Sequence, residues 1–141
     1  MTELNRIRVL LADDNKAMLS RVTKLLTANC DVVGEMSDGG QALKVVKELK
    51  PDILVLDIAM PVMNGIETAQ RLRQANSKTR IVFLTVHDDP EFASAAMDAG
   101  AMGYVIKPRM VSDLLVAINE VYAGRTFVSP LRAGLAGKQG K

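Results

Sequence analysis

The sequence predicts an α/β protein in which five helices cover a doubly wound, five-stranded parallel sheet. Short apolar runs without polar alternation recur along the chain, and this pattern is typical of strands that are buried on both faces. Between these runs, apolar residues follow helical spacing. Repeated strand–helix units with short connections imply right-handed crossovers, and these place helices on both sides of a parallel sheet.

The predicted strands are rich in Val, Ile and Leu. They span residues 7–12, 31–34, 53–56, 81–84 and 103–106. The amphipathic stretches between and after them span residues 18–26, 42–49, 66–72, 92–97 and 114–122. Cys30, just before the second strand, is expected to be a small buried hydrophobic residue.

Residues that favour helix ends agree with this division of the chain. They are Asn64 before the third helix, Pro90 near the start of the fourth, Gly100 after its end, Ser112 at the start of the fifth and Gly124 at its close. Each residue type suits its position, because Asn and Ser cap helix starts, Pro fits a first turn, and Gly tolerates the left-handed conformation that ends helices.

Composition limits the possible classes of protein. The 141 residues, 48% of them apolar, fit one domain, and a formal charge of +2 favours neither a nucleic-acid-coating surface nor an acidic one. A single cysteine cannot form an internal disulfide, so we expect a reducing cytoplasm. No segment approaches the ~20 apolar residues of a membrane span, so no membrane contact is expected. We expect a folded domain over residues 1–124 and a linker or tail over 125–141.

Three carboxylates follow predicted strands. Asp13 and Asp14 come directly after the first strand, and Asp57 comes directly after the third. Ligands of such sheets bind beyond the carboxyl ends of the strands. Helix capping by Asp14 or Asn15 would explain only one side chain of the first pair. We therefore expect the three acids to share one rim of the sheet.

Such a cluster needs a cation. Two like charges ~4 Å apart repel by roughly 4 kcal/mol at an effective dielectric constant of about 20. Oxygen ligands supplied by few protein groups favour Mg²⁺, which keeps part of its coordination shell for water and phosphate. The cluster is therefore predicted to serve phosphate chemistry.

Two further polar residues follow apolar runs. Thr85 ends the fourth strand and Lys107 follows the fifth. Taken singly, such a threonine is usually a turn residue and such a lysine usually points into solvent. Beside the acids, they would supply a hydroxyl and a fixed cation for phosphoryl oxygens. Asp57 is then the candidate carboxylate nucleophile.

Four motifs in order resemble the receiver domain of two-component response regulators. They are ADDN (12–15), LDIAMPVMNG (56–65), FLT (83–85) and AGAMGYVIKP (99–108). The resemblance covers about residues 6 to 124 and implies a flavodoxin-like sheet with strand order 2-1-3-4-5. It also implies that a sensor histidine kinase is the partner and that Mg²⁺ is the cofactor.

The resemblance implies a role for each matching residue. Asp57 would accept a phosphoryl group from a phosphohistidine on the kinase. Asp14 would bind Mg²⁺ directly and Asp13 mainly through water, and Asp57 with the backbone carbonyl of Ala59 would complete the protein ligands. Lys107 would pair first with Asp57 and then with a phosphoryl oxygen.

The resemblance also implies a switch. Thr85 would move toward the phosphoryl group and Tyr104 would rotate inward, although a half-buried Tyr104 with its hydroxyl in water is an alternative. These movements would change the surface of the fourth helix, fifth strand and fifth helix. The output would therefore be a changed interface rather than an enzymatic product. The same surface could form a homodimer. The bond between Lys107 and Pro108 resembles the family's cis peptide, which would aim the lysine into the cleft.

The stretch INEVYAGRTFVSP (118–130) resembles the end of the receiver in NarL/LuxR-type transcription regulators, where a helix-turn-helix domain follows. The remaining residues, 125–141, are too few for a DNA-reading unit with its own core. We expect the chain to be a regulator fragment that would reach DNA only through a domain absent from this chain.

Other functions remain open from the sequence. One is a receiver-like module that binds proteins without accepting phosphate. An aspartyl-phosphate phosphatase would usually carry a second acid where Ala59 stands. A flavin or nucleotide carrier would share the fold, but no Gly-rich phosphate loop of the type G-x-x-x-x-G-K-[ST] or G-x-G-x-x-G follows the first strand. An acyl-transfer triad of Thr85, His87 and an aspartate lacks an evident oxyanion loop.

Overall fold

A computed structural model describes residues 6–132 of the chain. The strands are β1 (Ile7–Ala12), β2 (Cys30–Met36), β3 (Ile53–Leu56), β4 (Arg80–Thr85), β5 (Gly103–Ile106) and β6 (Phe127–Val128). The helices are α1 (Lys16–Leu26), α2 (Gly39–Leu49), α3 (Gly65–Gln74), α4 (Pro90–Asp98) and α5 (Met110–Tyr122), with one 3₁₀ turn (Lys107–Arg109) before α5.

All the strands pair in parallel, in the order β2-β1-β3-β4-β5-β6. The predicted doubly wound sheet, the order of its first five strands and its five helices are confirmed. β6 was not predicted. It places Phe127 opposite Gly103 and Val128 opposite Tyr104. A two-residue strand carries no periodicity in sequence, and it forms here because the edge of β5 offers unpaired backbone groups.

Each face of the sheet has its own apolar core. Val9, Leu11 and Val55 pack with α1 and α5, whereas Leu10 and Phe83 pack with α2, α3 and α4. Alternate residues of one strand therefore enter opposite cores, which explains why the strand sequences lack polar alternation. Cys30 is buried as predicted, and this burial raises the pKa of its thiol.

Helix ends follow the expected chemistry with one exception. Asn64 Oδ1 accepts the amide hydrogen of Glu67 at 2.8 Å, and Pro90 is the first residue of α4. Gly100 follows α4 with φ = 114° and Gly124 follows α5 with φ = 92°. Ser112 was predicted to open α5, and this prediction is wrong. The 3₁₀ turn runs directly into the helix at Met110, so Ser112 lies within the first turn.

Among residues 6–132, no helix is both long enough and apolar enough to cross a membrane.

Candidate functional site

The three predicted acids lie together at the carboxyl edge of the sheet. Ala12 and Leu56 pair in register, so β1 and β3 end side by side and deliver Asp13 and Asp57 to the same level. One carboxylate oxygen from each of Asp13, Asp14 and Asp57 lies within 4.8 Å of the other two. Asp13 and Asp57 are buried, whereas Asp14 is exposed.

Backbone amides fix one oxygen of each buried carboxylate. Asp13 Oδ1 accepts the Asn15 amide hydrogen at 2.9 Å, and Asp57 Oδ1 accepts that of Ile58 at 2.8 Å. The second oxygen of each carboxylate is left for a cation. Asn15 itself caps α1 by accepting the amide hydrogen of Met18, so capping does not account for Asp14.

Lys107 is the cation inside this cluster. Its Nζ lies 2.8 Å from Asp13 Oδ2 and 3.4 Å from Asp57 Oδ2, and its side chain is 13% exposed. The bond between Lys107 and Pro108 is trans, so the cis peptide expected from the resemblance is not found. The four-carbon stem reaches the cleft from a trans peptide because β5 ends directly at this edge.

Burial and charge shift the two central pKa values. Burial raises the pKa of Asp57, and the Asp13 carboxylate raises it further, while Lys107 and the Ile58 amide only partly offset this. Burial alone would lower the pKa of Lys107. The close contact with the Asp13 carboxylate and the negative charges of Asp57 and Asp13 outweigh that effect, so the pKa of Lys107 is raised.

The donor set fits Mg²⁺. Asp13 Oδ2 is buried and makes no hydrogen bond of good geometry, since Lys107 contacts it only as an ion pair. Carboxylate oxygens without hydrogen-bond donors are the ligands that a hard cation prefers. The carbonyl of Ala59, in the exposed loop after Asp57, accepts no hydrogen bond within the described part of the chain.

Gly65 lets α3 approach the acid cluster, a role that the sequence pattern alone does not indicate. A Cβ atom at this position would lie 2.2 Å from the carbonyl oxygen of Asp57 and 2.9 Å from Cα of Ile58. The Gly65 amide also donates to the carbonyl of Ile58 at 2.8 Å. The close approach that only glycine permits explains why the motif ends in this residue.

The two predicted switch residues meet at one residue of the loop after β4. Thr85 Oγ1 accepts the amide hydrogen of His87 at 3.3 Å, and the Tyr104 hydroxyl donates to the His87 carbonyl at 2.8 Å. Both side chains are fully buried. The half-buried Tyr104 with its hydroxyl in water is therefore not what the structure shows. Burial, together with the charges of Asp89, Asp88 and Asp57, raises the pKa of Tyr104 to about 12.

The acid cluster lies apart from a large groove in the described part of the chain. A groove of about 1110 Å³ opens at the opposite edge of the sheet, between the ends of α2 and α3. Its lining includes Lys44, Lys47, Asp52 and Arg80 but none of the three clustered acids. The chemistry is therefore assigned from the convergence of charged groups rather than from cavity size.

Comparison with known sequences identifies the family. The family model described as "Response regulator receiver domain" matches residues 9–119. The response regulator GacA of Pseudomonas aeruginosa is 33% identical over 126 residues, which are 88% of this chain and 59% of that protein. The nitrate/nitrite response regulator protein NarL of Escherichia coli is 37% identical over 123 residues, 86% of this chain and 57% of that protein. The chain thus spans less than two thirds of these relatives.

Solved structures agree with the family assignment. A LuxR-family two-component response regulator from Aurantimonas sp. superimposes with a TM-score of 0.89 at 33% identity, covering 96% of this chain and 99% of that one. The receiver domain of the putative response regulator NarL from Mycobacterium tuberculosis gives 0.81 at 31% identity, covering 85% and 98%. Both the receiver and the NarL/LuxR-type resemblances are confirmed, and this chain belongs to the receiver domain family of two-component response regulators.

Proposed function

We propose that Asp57 accepts a phosphoryl group from a phosphohistidine of a sensor histidine kinase, with Mg²⁺ bound, and that the modification switches an output surface. The observation that supports this most directly is the convergence of three carboxylates with one buried ammonium. A structural ion pair would need only one acid for each base. The excess negative charge is suited to a divalent cation and a phosphoryl group.

The chemistry follows from the environment of Asp57. Its Oδ1 is held by the Ile58 amide, so Oδ2 is available to attack phosphorus. A new phosphorus–oxygen bond forms at Asp57, the phosphorus–nitrogen bond of the donor breaks, and its electron pair stays on the imidazole nitrogen. Lys107 is close enough to follow the transferred charge, moving from a carboxylate to a phosphoryl oxygen.

Mg²⁺, held by Asp13, Asp14, Asp57 and the carbonyl of Ala59, would supply positive charge against the phosphoryl oxygens. Thr85 ends β4, next to β3, and would donate its hydroxyl hydrogen to another of these oxygens. Neutralising three oxygens with three separate groups lowers the energy of the transferring phosphoryl group, which is the usual source of catalysis in such reactions.

The consequence of modification is a changed surface rather than a released product. The relatives include transcription regulators, and we propose the same kind of role here, with DNA contacted only through a separate domain. A homodimer through α4, β5 and α5 is also proposed, since Phe92 and Val116 are exposed apolar residues on these helices. We place this signalling in the cytoplasm, in keeping with the resemblance to response regulators.

Phosphorylation by a small donor tests the proposal. Incubation with Mg²⁺ and acetyl phosphate should add one phosphoryl group to the intact mass, and Asp57→Asn should remove this labelling. Asp31→Asn is the matched control, because Asp31 is exposed on β2 and lies outside the cluster. Labelling of Asp57→Asn would show that Asp57 is not the acceptor.

Two outcomes would favour the other functions. An unmodified chain, under conditions that label a control receiver, would favour a binding module that does not accept phosphate. Turnover of an independent phosphoester would favour an aspartyl-phosphate phosphatase, although Ala59 stands where such enzymes usually have their second acid.

A further inference from the structure

The segment 127–132, here called the C-terminal strap, crosses the edge of the sheet to the loop after β4. Ser129 donates its amide hydrogen to the Tyr104 carbonyl at 2.8 Å. Arg132 donates its amide hydrogen to the carbonyl of Asp88 at 3.1 Å. The strap therefore joins one predicted switch residue to the loop that contacts the other.

A buried carboxylate fixes the middle of the strap. Ser129 is 1% exposed, and its hydroxyl donates to Asp113 Oδ2 of α5 at 2.7 Å. The same carboxylate accepts from Arg109 Nε at 2.8 Å. A hydrogen bond between a buried hydroxyl and an ionised carboxylate holds a segment more firmly than a bond between neutral groups. This point of the strap is therefore attached to α5.

Arg132 fixes the far end of the strap to the loop after β4. Its guanidinium contacts the carboxylate of Asp89 and lies 3.9 Å from that of Asp88. Asp89 occupies the N-cap position of α4, yet its side chain makes no capping hydrogen bond. The carboxylate that would normally cap the helix is instead paired with Arg132.

The loop held by Arg132 determines the hydrogen bonding of Thr85. The His87 amide in this loop donates to Thr85 Oγ1, so the hydroxyl oxygen is an acceptor here. A hydroxyl has one hydrogen to donate and can accept at the same time. Within residues 6–132 the hydroxyl hydrogen of Thr85 has no acceptor, so this loop arrangement leaves it for a phosphoryl oxygen.

We propose that Arg132 is a positioning residue, which holds the loop after β4 so that strap docking and a phosphoryl group at Asp57 favour one another. This inference rests on the proposed function. Coupling between two equilibria is reciprocal. If docking of the strap raises the affinity for the phosphoryl group by some factor, binding of that group must raise the equilibrium constant for strap docking by the same factor. Because Arg132 is exposed, we expect a factor of about five, near the lower end of typical coupling.

Binding of beryllofluoride, a phosphoryl mimic, measures one half of this coupling at equilibrium. Isothermal titration of the full chain in saturating Mg²⁺ should give an affinity about fivefold weaker for Arg132→Ala than for the wild type. Arg132→Lys, which keeps the charge, should recover most of the loss. Arg125→Ala is the matched control, because among residues 6–132 Arg125 forms an ion pair with Glu120 of α5 alone, and the affinity of this variant should equal that of the wild type.

Hydrogen exchange measures the reciprocal half. Beryllofluoride and Mg²⁺ should slow exchange of the Ser129 and Arg132 amides in the wild type, but not in Asp57→Asn. If acetyl phosphate labels Asp57, two results would overturn the coupling alone. One is an affinity for beryllofluoride that is the same in Arg132→Ala and in the wild type. The other is amide exchange of Ser129 and Arg132 that becomes faster when beryllofluoride binds. A wild-type chain that is not labelled would overturn the proposed function, and the coupling with it.

Discussion

The ammonium nitrogen of Lys107 lies closer to Asp13 than to Asp57, at 2.8 Å and 3.4 Å from the nearest carboxylate oxygens. The lysine therefore compensates two buried carboxylates at once. A phosphoryl group on Asp57 would draw the ammonium away from Asp13, and Asp13 would then depend on the metal for compensation. We therefore expect the state of Asp57 and the metal affinity to be coupled through this one side chain.

Removing the ammonium should expose the repulsion between the acids. We expect Lys107→Met to lower the free energy of unfolding by about 3 kcal/mol, because Asp13 and Asp57 lose their shared counter-ion. Mg²⁺ should restore part of the loss by replacing the missing charge. Urea unfolding with and without MgCl₂ measures both effects. Arg125→Met, which breaks an exposed ion pair, is the control, and an unchanged midpoint for Lys107→Met would contradict the prediction.

The raised pKa of Asp57 predicts how stability depends on pH without Mg²⁺. A folded-state pKa above the unfolded value of 3.8 means that this carboxyl group favours folding when protonated. Its contribution is present below the unfolded value and is lost as pH rises through the raised pKa. At neutral pH, Asp57→Asn should therefore stabilise the protein, by about 1 kcal/mol or roughly 4 °C in Tm.

The gain of Asp57→Asn should shrink as pH falls from neutral to the unfolded value of 3.8, because protonation of the wild-type carboxyl group removes the buried charge. Thermal unfolding at the two pH values measures this difference, with Asp31→Asn as the control at an exposed position. Saturating Mg²⁺ at neutral pH should reverse the order, because the wild type binds the metal more tightly. A lower Tm for Asp57→Asn in metal-free neutral buffer would contradict this reading of the site.

Tyr104 should ionise only in strong alkali. Burial and the nearby aspartates raise its pKa to about 12, so its stabilising contribution is present below the ordinary value of 10.0 and is lost as pH rises through about 12. The chain has 2 tyrosines, so phenolate absorbance in a Tyr122→Phe variant follows Tyr104 alone. A midpoint near 10 in the folded protein would mean that the ring lies outside the core in solution.

Gly65→Ala should damage the site through packing. The added methyl would meet the Asp57 carbonyl at 2.2 Å, so the start of α3 must shift, at a cost of about 2 kcal/mol or more. Labelling of Asp57 by acetyl phosphate should fall with it. Gly40→Ala in α2 is the matched control, since its Cβ would have 3.3 Å to the nearest atom. Urea unfolding should separate the two variants, and equal midpoints would argue against the close approach.

Much of the site was predictable because it rests on strand ends. The apolar runs before Asp13, Asp57 and Thr85 locate the carboxyl ends of three strands, and parallel pairing brings those ends to one edge. The length of β1 and the positions of β3 and β5 agree with the sequence pattern. These features depend on local periodicity, so the chain itself carries the signal.

Other features depend on contacts between distant segments. The helix α5 begins at Met110 rather than at the predicted Ser112, because a 3₁₀ turn leads directly into the helix. Tyr104 is fully buried because the carbonyl of His87 is placed to accept its hydroxyl. β6 exists because the edge of β5 is within reach of the chain after α5. None of these leaves a periodic pattern in sequence.

The sequence by itself determined the fold class, the ends of the strands and the placement of the acids and the lysine at one edge of the sheet. Residue type and spacing suffice for this, because they indicate buried strands and the polar residues that follow them. Tertiary structure alone decided which polar groups meet: Lys107 pairs with Asp13, Ser129 donates to Asp113, and Arg132 contacts the loop after β4. The physical reason is the separation along the chain between the residues that each kind of signal relates. Periodicity reports burial within a few residues, whereas an ion pair or hydrogen bond depends on distances that only the packed chain defines.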